Sequence, residues 1–240
     1  MHFSAETYSR ILWGGIIMAK NTYIGAGTTL SSNYYMRNFY VSNRNARTPS
    51  KRKDIDNSEL ALADGMALRR AIKQLGSLKF DDEKDSDIRN SIKAFIDTFN
   101  NTLDSTSDST DHALNRSMKQ LKSIAQEYAS DLDKIGITVN SDGTLTRRDT
   151  LFTTASLSKF EKLFSSGSDF IQRTSACAKR IERRSDALSV TEKHQKLLEN
   201  TPNQTGSTVD TTAVAQLISD DTDLDTLLNT GIGQNVNVVL

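Results

Sequence analysis

Residues 132–145 read Leu132-Asp133-Lys134-Ile135-Gly136-Ile137-Thr138-Val139-Asn140-Ser141-Asp142-Gly143-Thr144-Leu145, and this stretch decides the fold class. Gly136 closes a helical pattern. Ile137-Thr138-Val139 and Thr144-Leu145-Thr146 are β-formers, and Asn140-Ser141-Asp142-Gly143 between them is a tight-turn sequence. The expectation is one small β-hairpin near 137–146. An isolated hairpin is marginal in water, so it should cap a helical body and bury Ile137, Val139 or Leu145 against it. A calcium loop aligned on Gly143 would place its first and last ligands at Thr138 and Asp149, which lacks the strongest oxygen ligands, so the hairpin reading takes precedence.

Upstream of the hairpin the pattern is helical. A first helix begins near Ser58, a plausible N-cap, and carries Leu60, Ala63, Ala67, Ala71, Ile72 and Leu75 to a stop at Gly76. The acidic run Asp81-Asp82-Glu83-Lys84-Asp85 suits the positive end of a second helix, whose apolar face is Ile88, Ile92, Phe95, Ile96, Phe99 and Leu103. Residues 104–111, all Asp, Ser or Thr, compete for backbone hydrogen bonds and predict a turn. A third helix follows with Leu114, Met118, Leu121, Ile124, Ala125, Tyr128, Leu132 and Ile135. Its steps of four and three are coiled-coil-like, so the second and third helices are expected to pair antiparallel. Downstream, Leu157, Phe160, Leu163 and Phe164 mark another helix, with a break at Ser165-Ser166-Gly167-Ser168. Phe170, Ile171, Ala178 and Ile181 then resume, with a continuation toward Leu197 and Leu198. The fold class is therefore mainly α: an antiparallel helical, coiled-coil-like bundle at about 56–200, with one small β-hairpin and flexible ends.

The ends lack periodicity. Residues 19–53 hold Tyr23, Tyr34, Tyr35, Phe39 and Tyr40 among Gly, Ser, Asn and Thr, and read as a mobile aromatic and basic arm over 1–55. Met18-Ala19-Lys20 makes a normal translation start, which would leave 1–17 upstream of it. The longest apolar run, Ile11 to Met18, is eight residues where a membrane span needs about 20, and it lacks the basic residues of a cleaved signal. Residues 201–240 form a polar tail rich in Thr, Asn and Asp, with apolar patches at Ala213 to Ile218 and Leu224 to Leu228. Alone it lacks the apolar surface to offset its ordering entropy.

The chemistry-bearing residues are sparse. A single Cys, Cys177, excludes a disulfide framework and a Cys-rich zinc site, and the three His at 2, 112 and 194 are too scattered for a metal centre. There is no phosphate-binding loop and no nucleophile elbow. An enzyme would need Cys177 and His194 to meet in the fold. No catalytic residue, cofactor or metal is assigned. Thirty Lys and Arg balance thirty Asp and Glu, which argues against a generally nucleic-acid-binding protein. Locally, however, Arg37, Arg44, Arg47, Lys51, Arg52 and Lys53 run without an intervening acid just after the aromatics. Such a run can neutralise phosphates while aromatics stack on bases.

Three segments carry a family resemblance. Ile92 to Leu103, Ile-Lys-Ala-Phe-Ile-Asp-Thr-Phe-Asn-Asn-Thr-Leu, resembles the "V-x-x-F-V-x-x-Y-N" helix of flagellar filament-capping proteins, the hook-associated protein 2 family, with Phe99 where the family usually has Tyr. Residues 132–145 resemble its "L-x-x-I-G-I-x-x-x-x-D-G-x-L" segment, and Leu157, Phe160, Leu163 and Phe164 its "V-x-x-L-F" element. The match covers about residues 85–170, the family's helical, coiled-coil domain. Full members add terminal heptad helices and inserted β-domains, where this chain has an aromatic arm and a polar tail. The resemblance implies an extracellular structural protein of the bacterial flagellum, secreted by the flagellar apparatus and assembling through helices in the filament cap.

Two functional expectations result. The first is a non-enzymatic structural or assembly protein, contacting itself or flagellar and hook-associated subunits, with the stripe Leu114, Met118, Leu121 and Tyr128 carrying the contacts if the domain leaves one side open. It allows for a homo-oligomer. The second is a cytoplasmic adaptor or regulator whose basic residues Arg37 to Lys53 bind an anionic partner such as nucleic acid.

Overall fold

The computed structural model describes residues 30–199. Its elements are α1 (Ser32–Phe39), α2 (Pro49–Arg52), α3 (Asn57–Ser77), α4 (Asp85–Ser107), α5 (His112–Glu127), α6 (Ala129–Asp133), β1 (Ile137–Val139), β2 (Leu145–Arg147), α7 (Asp149–Thr154), α8 (Leu157–Phe164) and α9 (Asp169–Glu199), with short 3-10 turns at Asn45–Arg47 and Asp82–Lys84. The four long helices form a closed ring in which α3 packs on α4 and α9, and α5 packs on α9 and α4. Helix α9 runs antiparallel to α3, since Ser58 bonds Glu192 and Arg69 bonds Glu182. It is antiparallel to α5 as well, through Asp111 with Arg184 and Glu127 with Arg173.

The ring closes over one core. Leu68, Leu75, Ile88, Ile92, Phe95, Phe99, Leu121, Ile124, Phe170 and Ile181 are all fully or nearly fully buried. Phe95 lies at the centre of an aromatic cluster, 5.5 Å from Phe164 and 6.2 Å from Phe170. Burying side chains of this size supplies roughly 1.5–3 kcal/mol each, which is why the periodic apolar residues determine the helices.

The hairpin forms as expected, with Ile137 opposite Arg147, Thr138 opposite Thr146 and Val139 opposite Leu145. Asp142 accepts from the Thr144 amide at 2.9 Å and from its hydroxyl at 2.6 Å, so its carboxylate closes the turn. Ile137 and Leu145 are buried while Val139 stays half-buried. The cap is seated by Asn100 of α4. Its amide donates to the Leu145 carbonyl and accepts from the Leu145 N–H, both at 2.8 Å, mimicking a neighbouring strand. Gly136 turns the chain from α6 into β1 with φ +78°.

Four expectations need correction. Residues 32–55 are not a mobile arm. Ser31 caps α1, accepting from the Tyr34 amide at 3.3 Å, and Tyr35, Met36, Phe39 and Tyr40 bury one face on the bundle. That is a helical period, but over two turns it is too short to stand out. The folded unit thus includes residues 30–55 as well as those from 56 onward. Second, α4 continues to Ser107, because Thr106 and Ser107 bond back to the carbonyls of Thr102 and Asp104 at 2.7 and 2.8 Å and so extend the helix instead of ending it. Third, α3 passes Gly76 and ends at Ser77, while the helix through Leu114 breaks at Tyr128 into α5 and α6. Fourth, α5 packs chiefly on α9 rather than on α4. Helix α7 was not anticipated. It is held to α4 by Arg89, which donates to the Phe152 and Ala155 carbonyls and lies 5.1 Å over the Phe160 ring. The break at 165–168 and the long helix through Leu198 are as expected. The start at Met18, Tyr23 and the tail 201–240 fall outside the described residues.

Two measurements test this account. A Cβ at Gly136 would lie 2.4 Å from the Phe152 amide nitrogen in a left-handed conformation. Gly136→Ala should therefore cost more than the ~1–2 kcal/mol of left-handed strain alone, read by urea denaturation. Asp111 caps α5 through the Leu114 amide at 2.8 Å and pairs with Arg184 at 2.5 Å. Burial alone would raise its carboxyl, but the Arg184 guanidinium and that amide outweigh it and hold the carboxyl below the usual range. A carboxyl depressed in the folded state adds stability at neutral pH that disappears as pH falls through its folded value. Asp111→Asn should lower Tm at pH 7 and narrow the gap to wild type as the pH is taken well below about 4.

Candidate functional site

The residues singled out in the sequence separate once folded. Leu114, Met118 and Leu121 point into the core, with Leu121 fully buried, so they are not an open contact stripe. Helix α9 covers that face of α5. Tyr128 is half-buried, its ring 5.3 Å from Phe170 and its hydroxyl donating to Asp169 at 2.6 Å. That stripe is spent within the molecule.

The basic run also divides. Arg37, Arg44, Lys51 and Lys53 are exposed and Arg47 is half-buried. Arg52 turns inward and is withdrawn from any anionic partner. Its Nη1 and Nη2 donate to Asp64 Oδ1 at 3.0 Å and Oδ2 at 2.9 Å, a bidentate pair in which the Arg52 side chain is 11% exposed and the Asp64 side chain 0%. The same guanidinium donates to the Ala46 carbonyl at 2.9 Å. Tyr40 donates to Asp64 Oδ1 at 2.7 Å and accepts from Asn101 at 2.9 Å. Burial pushes the Tyr40 hydroxyl up, the Asp64 charge adding to it, so the phenol remains a neutral donor. Burial likewise pushes the Asp64 carboxyl up, opposed by Arg52.

This network is the most concentrated polar chemistry in the described fold, and sequence reasoning missed it. The signal was present. Asp64 falls on the apolar stripe of α3 between Leu60, Ala67 and Ala71, where an acid must be buried and needs a cation. Beside it lies a polar cleft of about 410 Å³ walled by Arg47, Arg52, Asp97, Asn100 and Asn101. Arg52, Asn100 and Asn101 are committed to Asp64, Leu145 and Tyr40, so the cleft joins the α1–α2 segment to the bundle and offers no nucleophile–base pair.

Cys177 is buried on α9, its thiol donating to the Ser117 carbonyl at 2.9 Å. Burial pushes the thiol up, away from the reactive thiolate. His194 stands 17 residues further along the same helix, about 25 Å at 1.5 Å per residue, so the two do not form a catalytic pair. Among the described residues no cluster of three or more His, Cys, Asp or Glu side chains could hold a metal ion, and no helix is long and apolar enough to cross a membrane. Comparison of the chain with family models, with curated proteins and with solved structures finds no match.

Arg52→Ala leaves the Asp64 carboxylate buried with its cation removed and should destabilise by about 3–5 kcal/mol in urea titration. The double substitution Arg52→Met with Asp64→Leu removes both charges, and should recover most of that loss.

Proposed function

We propose that this chain is a non-enzymatic structural or assembly protein related to the helical domain of flagellar cap and hook-associated proteins, working through protein contacts made by its helical surface. The observation that supports this most is the meeting of the three resembling segments. The hairpin segment is seated on the Ile92 to Leu103 helix by the paired hydrogen bonds between Asn100 and Leu145, and Phe164 of the third segment stacks edge-on against Phe95 of the first at 5.5 Å. Segments that resemble one family's motifs in the same order and also share one core are consistent with a common domain.

The contact surface differs from the stripe read in the sequence. With Leu114, Met118 and Leu121 enclosed, the large apolar side chains left outward include Val190 and Leu198 near the end of α9. These two positions on α9 are where the proposed contact is to be tested first.

The deciding experiment is to shear surface appendages from the native cells and probe the sheared, secreted and cytosolic fractions with an antibody to this chain. Recovery with the appendages or in the medium is the expected result. Recovery in cytosol alone, with binding to anionic polymers that falls steeply with salt and is lost on charge reversal of Arg37, Arg44, Lys51 and Lys53, would replace this reading with the adaptor.

A further inference from the structure

A second groove runs between α3 and α9, about 650 Å³ in volume, with Ile72 and Ile171 on its floor and Gly76, Ser166 and Ala176 as its low walls. The small walls follow from close packing: a Cβ at Gly76 would lie 3.2 Å from the Ser166 Cβ. Arg69, Lys73 and Lys179 stand on the rim. Arg69 is paired with Glu182, whereas Lys73 and Lys179 make no ion pair among the described residues. An apolar trough with cationic edges fits an acidic amphipathic segment.

The chain carries such a segment itself. From Asn200 to Leu240 it has five acids, Asp210, Asp220, Asp221, Asp223 and Asp225, and neither Lys nor Arg. Four of the five fall in Asp220-Asp221-Thr222-Asp223-Leu224-Asp225-Thr226-Leu227-Leu228, where Leu224, Leu227 and Leu228 have the i, i+3, i+4 spacing of one helical face. Residues 30–199 carry 28 Lys and Arg against 24 Asp and Glu, a net +4 opposite the tail's −5.

We propose that Asp220–Leu228 docks into the α3–α9 groove of its own chain, with Leu224, Leu227 and Leu228 on Ile72 and Ile171 and the aspartates facing Lys73 and Lys179. Length permits it. Ala176 is 23 residues back along α9 from Glu199, about 35 Å. The twenty residues 200–219 span up to roughly 66 Å extended and about 25 Å as a root-mean-square coil, so the groove lies within reach. Tethering at that length gives an effective concentration on the order of millimolar, which favours the chain's own tail over a dilute competitor. The inference stands apart from the flagellar reading, since it uses only the groove, the charge split and the tether.

The test is zero-length carbodiimide cross-linking of the full chain at low micromolar concentration, using an equal mixture of unlabelled and nitrogen-15-labelled protein, with mapping by mass spectrometry. The expected result is amide bonds from Asp220–Asp225 to Lys73 and Lys179 within single isotopic species, lost in Leu224→Asp/Leu227→Asp, which leaves both lysine amines in place to react; Lys73→Glu/Lys179→Glu serves only to identify the reacting amines. The leucine positions are far from the bundle core in sequence, so the first variant keeps the fold while removing the anchor. Cross-links that join labelled to unlabelled chains would overturn the proposal in favour of a second copy. Cross-links confined to Lys51 and Lys53, or none at the groove, would overturn docking there altogether.

Discussion

The bundle depends on the close approach of α9 to α3. At Gly65 an added Cβ would sit 3.2 Å from the Glu182 amide nitrogen and from Ile181 Cγ2, so the absence of a side chain lets the two backbones come together. Once α9 is held there, its 31 residues present one side to α3 and another to α5. Cys177 then meets the Ser117 carbonyl and Phe170 meets Phe95 and Phe164. The hairpin and α8 are seated on what this contact creates. A bulkier residue at 65 would have to move two long helices apart, and every layer of the core lies between them and their neighbours.

This explains what the sequence could and could not show. Helices that bury a single stripe over several turns, such as α3 and α4, are plain in the spacing of Leu60, Ala67, Leu75 and of Ile88, Phe95, Phe99. The hairpin is plain because its turn chemistry is local to four residues. The partner of α5 is not, since α4 and α9 both offer apolar faces at the right spacing and adjacency in the chain favours the wrong one. The segment from Ser32 to Arg52 is hidden for a different reason: its order comes from Tyr35, Phe39 and Tyr40 meeting α3 and α4, and from a charge pair whose halves are twelve residues apart. Long-range complementarity leaves no periodic trace.

The candidate site shows the same division. A run of cations reads as a surface because nothing in it says which one turns inward, yet Arg52 alone has a bidentate acid waiting on the core-facing side of α3. Asp64 was the legible half of that pair. An acid on an apolar stripe is a stronger signal than a cation in a basic run, because burying it without a partner is too costly to be accidental.

The charges of this protein sort by residue type as well as by place. The cations that bridge distant elements through several donors are arginines: Arg52 to Asp64 and Ala46, Arg89 to Asp85, Phe152 and Ala155, Arg173 to Glu127, and Arg184 to Asp111. A planar guanidinium can satisfy a carboxylate with two parallel bonds, or a carboxylate and a carbonyl at once, which suits a joint between packed helices. Among the described residues Lys134, Lys193 and Lys196 form ion pairs at exposed edges, where screened contacts add little. Charge neutrality of the whole chain therefore hides two populations. The arginines are largely consumed in fastening the bundle, whereas Lys73 and Lys179 stand beside an apolar trough with acids of the same chain left to balance them. Density of basic residues in the sequence is therefore a poor guide to which cations remain at the surface, since Arg52 in the densest run is enclosed.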